Sequence, residues 1–246
     1  MVLLSMTSKE IWDNISADKE KVKIKTDCLF PKAVKDFRKE RMFPAWRYYE
    51  YKIPSTGNQY IIFFYAANMT HIEKPQSGSF CVVFHQNKRF VLKCLEGRYR
   101  HTLNSEVIIL PQVHIYTSHF FSRYKERYLK DESLPTNDVA CRYFSRNKNI
   151  TPMDVSEEIN KNVEEYGDFG AKGVCITDGF CFTKIVAEIS NNPDGNREND
   201  KVEAIRILYT TYMPISNMHP NQRTAIEKEY KEIWGRLFIE HLKEFL

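Results

Sequence analysis

The sequence has no apolar run of membrane-spanning length. Its longest apolar run covers residues 60–67, far short of the roughly 20 residues that a transmembrane helix needs. The first ten residues contain too short an apolar stretch, and no leading positive charge, for a secretory signal peptide. We therefore expect a cytoplasmic protein that does not enter a membrane.

Several common site motifs are also missing. There is no glycine-rich phosphate loop, no glycine-rich dinucleotide fingerprint, no His-Glu-x-x-His and no Gly-x-Ser-x-Gly elbow. The histidines offer no spacing that forces them to converge on zinc, and His114 and His119, five apart, span a strand-to-helix junction. The usual nucleotide, zinc-peptidase and hydrolase functions lose their main support, and no cofactor is implied.

Cysteine pairs of the Cys-x-x-Cys type do not occur, which argues against a zinc knuckle or a redox motif. The six cysteines stand at irregular intervals, as Cys28, Cys81, Cys94, Cys141, Cys175 and Cys181. A chain of 246 residues does not need disulfides to fold. Free buried thiols are favoured over a disulfide framework.

Charge of one sign does not dominate, because 36 basic and 32 acidic side chains give a formal charge of +4. This balance neither demands nor excludes nucleic acid as a partner. The 42% hydrophobic content allows a sizeable core. We predict one α+β domain over residues 1–246, mainly an antiparallel sheet with packed helices and a long C-terminal amphipathic helix, with residues 1–55 as a candidate N-terminal helical and aromatic-basic appendage.

The N-terminal 40 residues have helical signals. Ser8 is a candidate cap for a first helix, and Pro31 is a candidate first residue of a second helix. Residues 41–52 then mix tyrosine, tryptophan, arginine and lysine. Such a mixture can stack nucleic-acid bases or pack a sheet, and packing is the commoner use.

Strand signals dominate the next part of the chain. Residues 59–67 form a β-branched and aromatic run, and residues 80–85 and 89–94 indicate a hairpin that turns near Asn87. That register places four side chains on one core-facing side, namely Cys81, Val83, Phe90 and Leu92. Residues 107–110 and 113–116 continue the β pattern, which Pro111 is expected to break at an edge or a bulge.

Cap and stop residues predict a helix after Thr151. Thr151-Pro152-Met153-Asp154 is a helix-start pattern, and Gly167 supplies a stop after Tyr166. Helical periodicity over residues 222–246 marks a second long helix, with Pro220 near its first turn. Its apolar stripe could cover a sheet or dimerise.

Between these two helices the sequence indicates a three-stranded antiparallel meander. Residues 173–177 and 180–186 flank Asp178-Gly179, the favoured dipeptide of a type I′ turn, so Thr177 should face Phe180. A polar loop over residues 190–200 leads to a third strand over residues 202–213.

The segment Thr117–Leu129 is the stretch in which spacing alone assembles a chemical site. Read as a helix, it places His119, Arg123 and Arg127 on one stripe. Four aromatic residues fall on another stripe, namely Phe120, Phe121, Tyr124 and Tyr128. The helix start and both arginines disfavour protonated His119, so we expect a neutral imidazole near pH 7 beside two phosphate-binding cations, unless Glu126 occupies Arg123 in an ion pair.

Imidazole and guanidinium groups are the parts of a metal-independent RNA-cleaving site. Cleavage needs a base for the 2′-hydroxyl proton and cations for the charge that develops on phosphorus. The alternative is an ordinary amphipathic helix that carries the same polar residues for solvation.

The order of elements in residues 113–214 resembles the small toxin ribonucleases of the RelE and BrnT kind and their uncharacterised relatives. The similarity includes the His-x-x-x-Arg-x-x-x-Arg helix and a later strand that carries Thr210, Thr211 and Tyr212. It implies a role in RNA cleavage for His119, Arg123 and Arg127, and less strongly for Thr210 and Tyr212. The chain departs from those small toxins in its ~110 preceding residues and its long terminal helix.

Two other functions stay open. The chain could be a protein-interaction domain that uses residues 43–52, its sheet edges and its terminal helix. It could instead bind RNA or another nucleic acid without cleaving it. The basic residues available for that role are Arg47, Lys88, Arg89, Arg98, Arg100, Arg123 and Arg127.

Overall fold

A computed structural model describes residues 1–99, 108–154, 172–189 and 201–243. Nine strands in this part of the chain form one mixed sheet. They are β1 Ala45–Lys52, β2 Gln59–Ala66, β3 Gln76–His85, β4 Lys88–Tyr99, β5 Ile108–Thr117, β6 Ile150–Asp154, β7 Lys172–Ile176, β8 Gly179–Ile189 and β9 Val202–Pro214. Their order across the sheet is β1-β2-β3-β4-β5-β9-β8-β7-β6.

All neighbouring strands are antiparallel except β5 and β9, which are parallel. Four α-helices of the described ranges accompany the sheet, namely α1 Ser8–Phe37, α2 Ser118–Tyr124, α3 Thr136–Arg146 and α4 Pro220–Lys243. A π-helical turn, Lys125–Leu129, extends α2, and 3-10 turns cover Met69–His71 and Ile215–Asn217. The α+β class with a mostly antiparallel sheet is confirmed.

The N-terminal helix is continuous. The predicted cap at Ser8 and the predicted start of a second helix at Pro31 were both wrong. Thr7, not Ser8, is the cap: its hydroxyl accepts from the Glu10 backbone N–H, and the Glu10 carboxylate accepts from the Thr7 N–H. Pro31 lies inside α1 and opens no second helix. Val22 before it and Phe37 after it are buried on the same sheet, and this burial offsets the proline's cost of roughly 3 kcal/mol.

The β3–β4 hairpin has the predicted register. Cys81 pairs with Leu92, and Val83 pairs with Phe90. The turn falls at Gln86 and Asn87, whose φ values of 48° and 59° are those of a two-residue turn with both central residues left-handed. The predicted β2 strand and the β7-β8-β9 meander are also confirmed.

Pro111 does not break β5, so the expected interruption was wrong, but the proline does lie at a local edge of the sheet. It pairs with Glu96 on β4, while the parallel pairing with β9 begins one residue later, at Gln112. The proline therefore lies where the strand is flanked on one side only, and its missing N–H costs no hydrogen bond to β9.

Residues 151–154 belong to strand β6, so the prediction that a helix starts at Thr151 was wrong. Thr151 pairs with Cys175 and Met153 with Gly173, and both Thr151 and Met153 are buried. The rest of that predicted helix, residues 155–167, lies outside the described residues. The residues resemble a helix cap, which is why the sequence predicted a helix. Thr151 and Met153 are both buried, however, and burial of every second residue is the pattern of a strand.

The β7–β8 turn is displaced by one residue from its predicted position. Ile176 pairs with Gly179, so Thr177 and Asp178 form the turn, and Phe180 faces Cys175 instead of Thr177. Gly179 has a φ of 157°, and a Cβ there would lie 2.3 Å from the Met213 carbonyl oxygen. Close approach of β9 therefore requires the glycine at the first position of β8. The predicted loop 190–200 lies outside the described residues.

Two cores cover opposite faces of the sheet. One core joins α1 to β1–β5 and includes Ile11, Phe37, Ile62 and Phe64. The other joins α2 and α3 to both halves of the sheet and contains many buried tyrosines. Residues 1–55, the candidate appendage, thus contribute α1 and the edge strand β1 to this arrangement.

The sheet curls around α3. The Trp46 indole N–H on β1 donates to the Ser145 hydroxyl at 2.9 Å, while the adjacent Arg146 binds Asp178 in the β7–β8 turn. Six strand spacings separate β1 from β8, which would be about 29 Å in a flat sheet. Ser145 and Arg146 are consecutive in α3, yet one contacts β1 and the other contacts the β7–β8 turn. They can do so because the sheet is strongly twisted.

The C-terminal helix was predicted correctly in place and type. Pro220 is its first residue, Ile226 is buried and Ile233 packs on a small third core with Met153 and Phe180. Tyr230 and Trp234 are largely exposed.

All six cysteines are free thiols, as predicted, but Cys94 and Cys175 are only partly buried and Cys28 is exposed. Among the helices described, none combines the length and apolarity needed to cross a bilayer.

Candidate functional site

The predicted stripe of His119, Arg123 and Arg127 lies on α2 and the π-helical turn that follows it. The Thr117 hydroxyl caps α2 by accepting from the Phe120 N–H at 3.0 Å. Phe120, Phe121 and Tyr124 bury the opposite side of the helix in the α3-side core. Amphipathic packing therefore leaves His119 exposed and Arg123 and Arg127 partly exposed.

His119 is exposed at the start of α2. Partial burial, followed by the positive charges of Arg123 and Arg127, lowers its pKa, while Glu126 has a smaller opposing effect. The direction agrees with the sequence-based expectation, and it makes the neutral imidazole the dominant form near pH 7.

Arg123 forms the ion pair with Glu126 that the sequence suggested. The Arg123 Nη1 and Glu126 Oε2 atoms are 2.7 Å apart. The hydrogen bond from Arg123 and its charge lower the pKa of Glu126. The Arg123 Nε atom is buried and has no hydrogen-bond partner in the described part of the chain. This guanidinium therefore retains donor capacity beyond its carboxylate contact.

Arg127 anchors the turn to the sheet. Its Nη1 atom donates to the Tyr212 carbonyl oxygen on β9 at 2.7 Å. The Tyr212 side chain is fully buried, and its hydroxyl donates to the Asp178 carbonyl oxygen at 2.6 Å. The Thr210 hydroxyl likewise donates to the Phe182 carbonyl oxygen at 3.0 Å.

Tyr212 therefore does not share an open surface with His119, as a catalytic set would require, and we remove it from the candidate site. The reason is the sheet's pleat: Tyr212 points into the aromatic core under α2, within 5.0 Å of the Tyr124 ring centroid. Sequence spacing gave the strand but not the face that each residue occupies.

Asp178 is the centre of a polar network beneath this surface. Its buried carboxylate accepts hydrogen bonds from Arg146, from the Tyr124 hydroxyl at 2.5 Å and from the Asn147 amide at 3.0 Å. The Asn147 side-chain Oδ1 atom in turn accepts from the Asp178 backbone N–H at 3.1 Å. Burial raises the pKa of Asp178, but the hydrogen bonds from Arg146 and the tyrosines outweigh it and lower the pKa overall.

Arg146 and Tyr128 extend the network to the surface. The Arg146 guanidinium lies 5.1 Å from the Tyr128 ring centroid and donates to the Tyr128 hydroxyl. Its hydrogen bonds and ion pair with Asp178 raise the pKa of Arg146. We call the group formed by His119, Arg123, Arg127, Tyr128 and Arg146 the α2 surface.

No sequence pattern predicted that Arg146 and Asp178 would meet beneath the α2 surface. Asp178 is the first residue of an Asp-Gly pair, which indicates a solvated turn. Arg146 ends a helix that was not predicted. Their contact joins residues 32 positions apart through the curl of the sheet.

His114 is a second histidine that the structure places in the core. Its Nδ1 atom lies 2.9 Å from the Tyr209 hydroxyl, and its Nε2 atom lies 3.2 Å from Gln112 Oε1. Burial and the nearby charge of Lys93 lower its pKa to about 3. His114 is thus a neutral structural residue.

The other basic residues considered for nucleic acid are dispersed. Arg47 pairs with Glu40, Lys88 is exposed at the hairpin turn, and Arg89 contacts Asn137. The Arg98 side chain and Arg100 lie outside the described residues. The described residues contain no group of three or more histidines, cysteines or acids that could hold a metal ion.

Comparisons with known proteins give no relative: no family model, curated protein or solved structure matches this chain. The geometry of the α2 surface is therefore the basis for any function.

Proposed function

We propose that this protein binds RNA through the α2 surface. The observation that carries the proposal is that the charges of Arg123 and Arg127 act on His119, while Arg146 lies 5.1 Å from the ring centroid of Tyr128, the residue that follows Arg127. Arg127 and Arg146 come from separate elements, and each is anchored by a hydrogen bond to the sheet or to its turn. Anchored arginines lose little side-chain entropy when they bind a ligand.

The chemistry of these groups matches a phosphate backbone with unpaired bases. Guanidinium groups bind phosphate oxygens in a bidentate manner, and an Arg–Tyr pair offers a flat face on which a base can stack. His119 supplies a further nitrogen at the edge of the same surface. Single-stranded RNA presents both phosphate and base to a surface of this kind.

Metal-independent RNA cleavage is the second candidate, and the lowered pKa of His119 is what favours it. A neutral imidazole can take the 2′-hydroxyl proton, so that the 2′ oxygen attacks the adjacent phosphorus and forms a 2′,3′-cyclic phosphate. The bond from phosphorus to the 5′ oxygen of the next nucleotide breaks, and that oxygen leaves with a proton from water. Arg123 and Arg127 would stabilise the extra negative charge on phosphorus. This is the activity that the resemblance to the RelE and BrnT toxins implies.

Binding is tested by fluorescence anisotropy with a labelled, unstructured RNA oligonucleotide in 50 mM salt. We expect Arg123→Gln to weaken binding at least fivefold, because a phosphate-directed cation is lost, and the slope of log affinity against log salt to fall by roughly one. Arg38→Gln is the matched control: Arg38 also forms an arginine–glutamate pair, with Glu73 at 2.8 Å, but at the C-terminal cap of α1. Equal effects of the two variants would contradict the proposal.

Cleavage is tested with the same RNA in chelator, by following the 2′,3′-cyclic phosphate product. Loss of cleavage in His119→Ala, with binding retained, supports the enzyme. Binding without cleavage in the wild-type protein supports the binder and rejects the second candidate. Absence of both activities in the folded protein rejects both functions and leaves a protein-interaction domain.

A further inference from the structure

A cavity of about 500 Å³ opens on the α3 side of the sheet, next to the start of α3. Ile61, Val82 and Phe84 form its apolar floor, and they come from β2 and β3. Ile61 and Val82 belong to the α3-side core, but Phe84 is 60% exposed because no described helix covers the end of β3. The volume is within the range of sites that bind small molecules, about 300–1,000 Å³.

Arg89 lines this cavity with a positive charge that has no direct ion pair among the described residues, although the charge of Glu50 acts on it. Its Nη2 atom donates to the neutral Asn137 side chain, and no carboxylate of the described residues forms an ion pair with it. Partial burial of the guanidinium lowers the pKa of Arg89, and the charge of Glu50 partly opposes this effect. Desolvated cations in proteins usually have an anionic partner.

Asn137 holds the guanidinium in place. Its Oδ1 atom accepts from Arg89, and its Nδ2 atom is 3.5 Å from Glu50 Oε1. The amide therefore separates Glu50 from Arg89 and keeps the two charges from neutralising each other directly. With Lys52 also in the lining, the cavity carries two cations and one anion.

We propose that this cavity binds a small monocarboxylate with an apolar body, whose carboxylate pairs with Arg89 and whose apolar part covers Ile61, Val82 and Phe84. The net positive lining favours an anion over a cation, and the exposed phenyl ring of Phe84 favours an apolar body over a fully hydrated acid. The site is separate from the α2 surface, so it holds whether or not RNA binds.

Isothermal titration with three isosteric probes tests the charge preference. Phenylacetate is the anion, phenylacetamide its neutral counterpart and phenethylamine its cationic counterpart. We expect phenylacetate to bind at least tenfold more tightly than either of the others, because only the anion pairs with Arg89. Tighter binding of phenethylamine, equal binding of all three, or no heat from phenylacetate at 10 mM would overturn the proposal.

Two variants locate the binding. Arg89→Gln should weaken phenylacetate at least tenfold, whereas Lys88→Gln removes the same charge one residue away, outside the cavity lining, and should change affinity less than twofold. Gln59→Trp, on the exposed rim, should block binding by filling the cavity without touching the core. Circular dichroism confirms that each variant is folded, and unchanged affinity in folded Arg89→Gln would overturn the assignment.

Discussion

At the scale of single residues, Asp178 is the group on which the α2 surface depends most. It links α2, α3 and the β7–β8 turn through one buried carboxylate. Removing one partner of a buried ion pair leaves the other charge uncompensated, which typically costs about 3–5 kcal/mol. Arg146 is partly exposed and can recover some hydration, so the expected cost here is near the lower limit.

We therefore predict that Asp178→Asn lowers the free energy of unfolding by about 3 kcal/mol. Urea unfolding followed by circular dichroism measures the change. Asp13→Asn is the control, because Asp13 forms an exposed ion pair with Lys9 and its loss should leave the urea midpoint unchanged. A midpoint for Asp178→Asn equal to that of the control would show that the network contributes little.

His114 makes stability depend on pH. Its pKa is about 3 in the folded protein, against about 6.5 in an unfolded chain, so the unfolded state binds the extra proton between these values. Stability therefore falls as the pH is lowered from about 6.5 towards 3, by up to about 1.4 kcal/mol per pH unit from this residue.

The measurement compares wild type with His114→Asn, which retains a polar atom near Nδ1, by urea unfolding from pH 7.5 to pH 4.5. We expect the free energy of unfolding of His114→Asn to fall less steeply with decreasing pH than that of the wild type, because the contribution of His114 is absent. Imidazole ¹³C chemical shifts give a direct check in the unmodified protein, since His114 should stay neutral at pH 5. A His114 signal that titrates near pH 6.5 would refute the prediction.

At the scale of secondary-structure elements, caps and packing decide different things. The capping box of Thr7 and Glu10 defines where α1 begins, and this pattern is local enough to be found in a sequence. The strand at 150–154 has equally good cap residues, yet pairing with β7 determines its conformation. A local signal therefore holds only where tertiary contacts do not compete with it.

We predict that Thr7→Ala destabilises the protein by about 1 kcal/mol, because the Glu10 N–H loses its acceptor. Hydrogen exchange should become faster at the first turn of α1. Ser5→Ala replaces an exposed hydroxyl two residues earlier and is expected to have no effect. Equal exchange rates in the two variants would mean that docking on the sheet, not capping, holds the helix start.

At the scale of the whole molecule, the two cores share their strands. Adjacent residues on one strand enter opposite cores, as Ile61 and Ile62 do on β2 and Val82 and Val83 do on β3. Loss of strand pairing would expose both cores at once. Unfolding is therefore expected to be cooperative across the sheet.

The tryptophans make this testable, because Trp12 packs against the α1-side core and Trp46 against the α3-side core. Two single-tryptophan proteins, Trp46→Phe/Trp234→Phe and Trp12→Phe/Trp234→Phe, report on one core each. We predict that their urea midpoints, each compared with circular dichroism on the same variant, coincide with the loss of secondary structure. A fluorescence transition for Trp12 that precedes the loss of secondary structure would identify residues 1–55 as a separately unfolding unit.

The sequence by itself determined the α+β class, the β3–β4 register, the meander and the terminal helix, because these follow from periodicity and turn residues within short windows. It also determined the stripe of His119, Arg123 and Arg127. Only the tertiary structure decided that Tyr212 is buried, that Arg146 joins the α2 surface and that Arg89 lines a cavity. These facts depend on the curl of the sheet around α3, which brings together residues far apart in the chain, and no local pattern encodes that curvature.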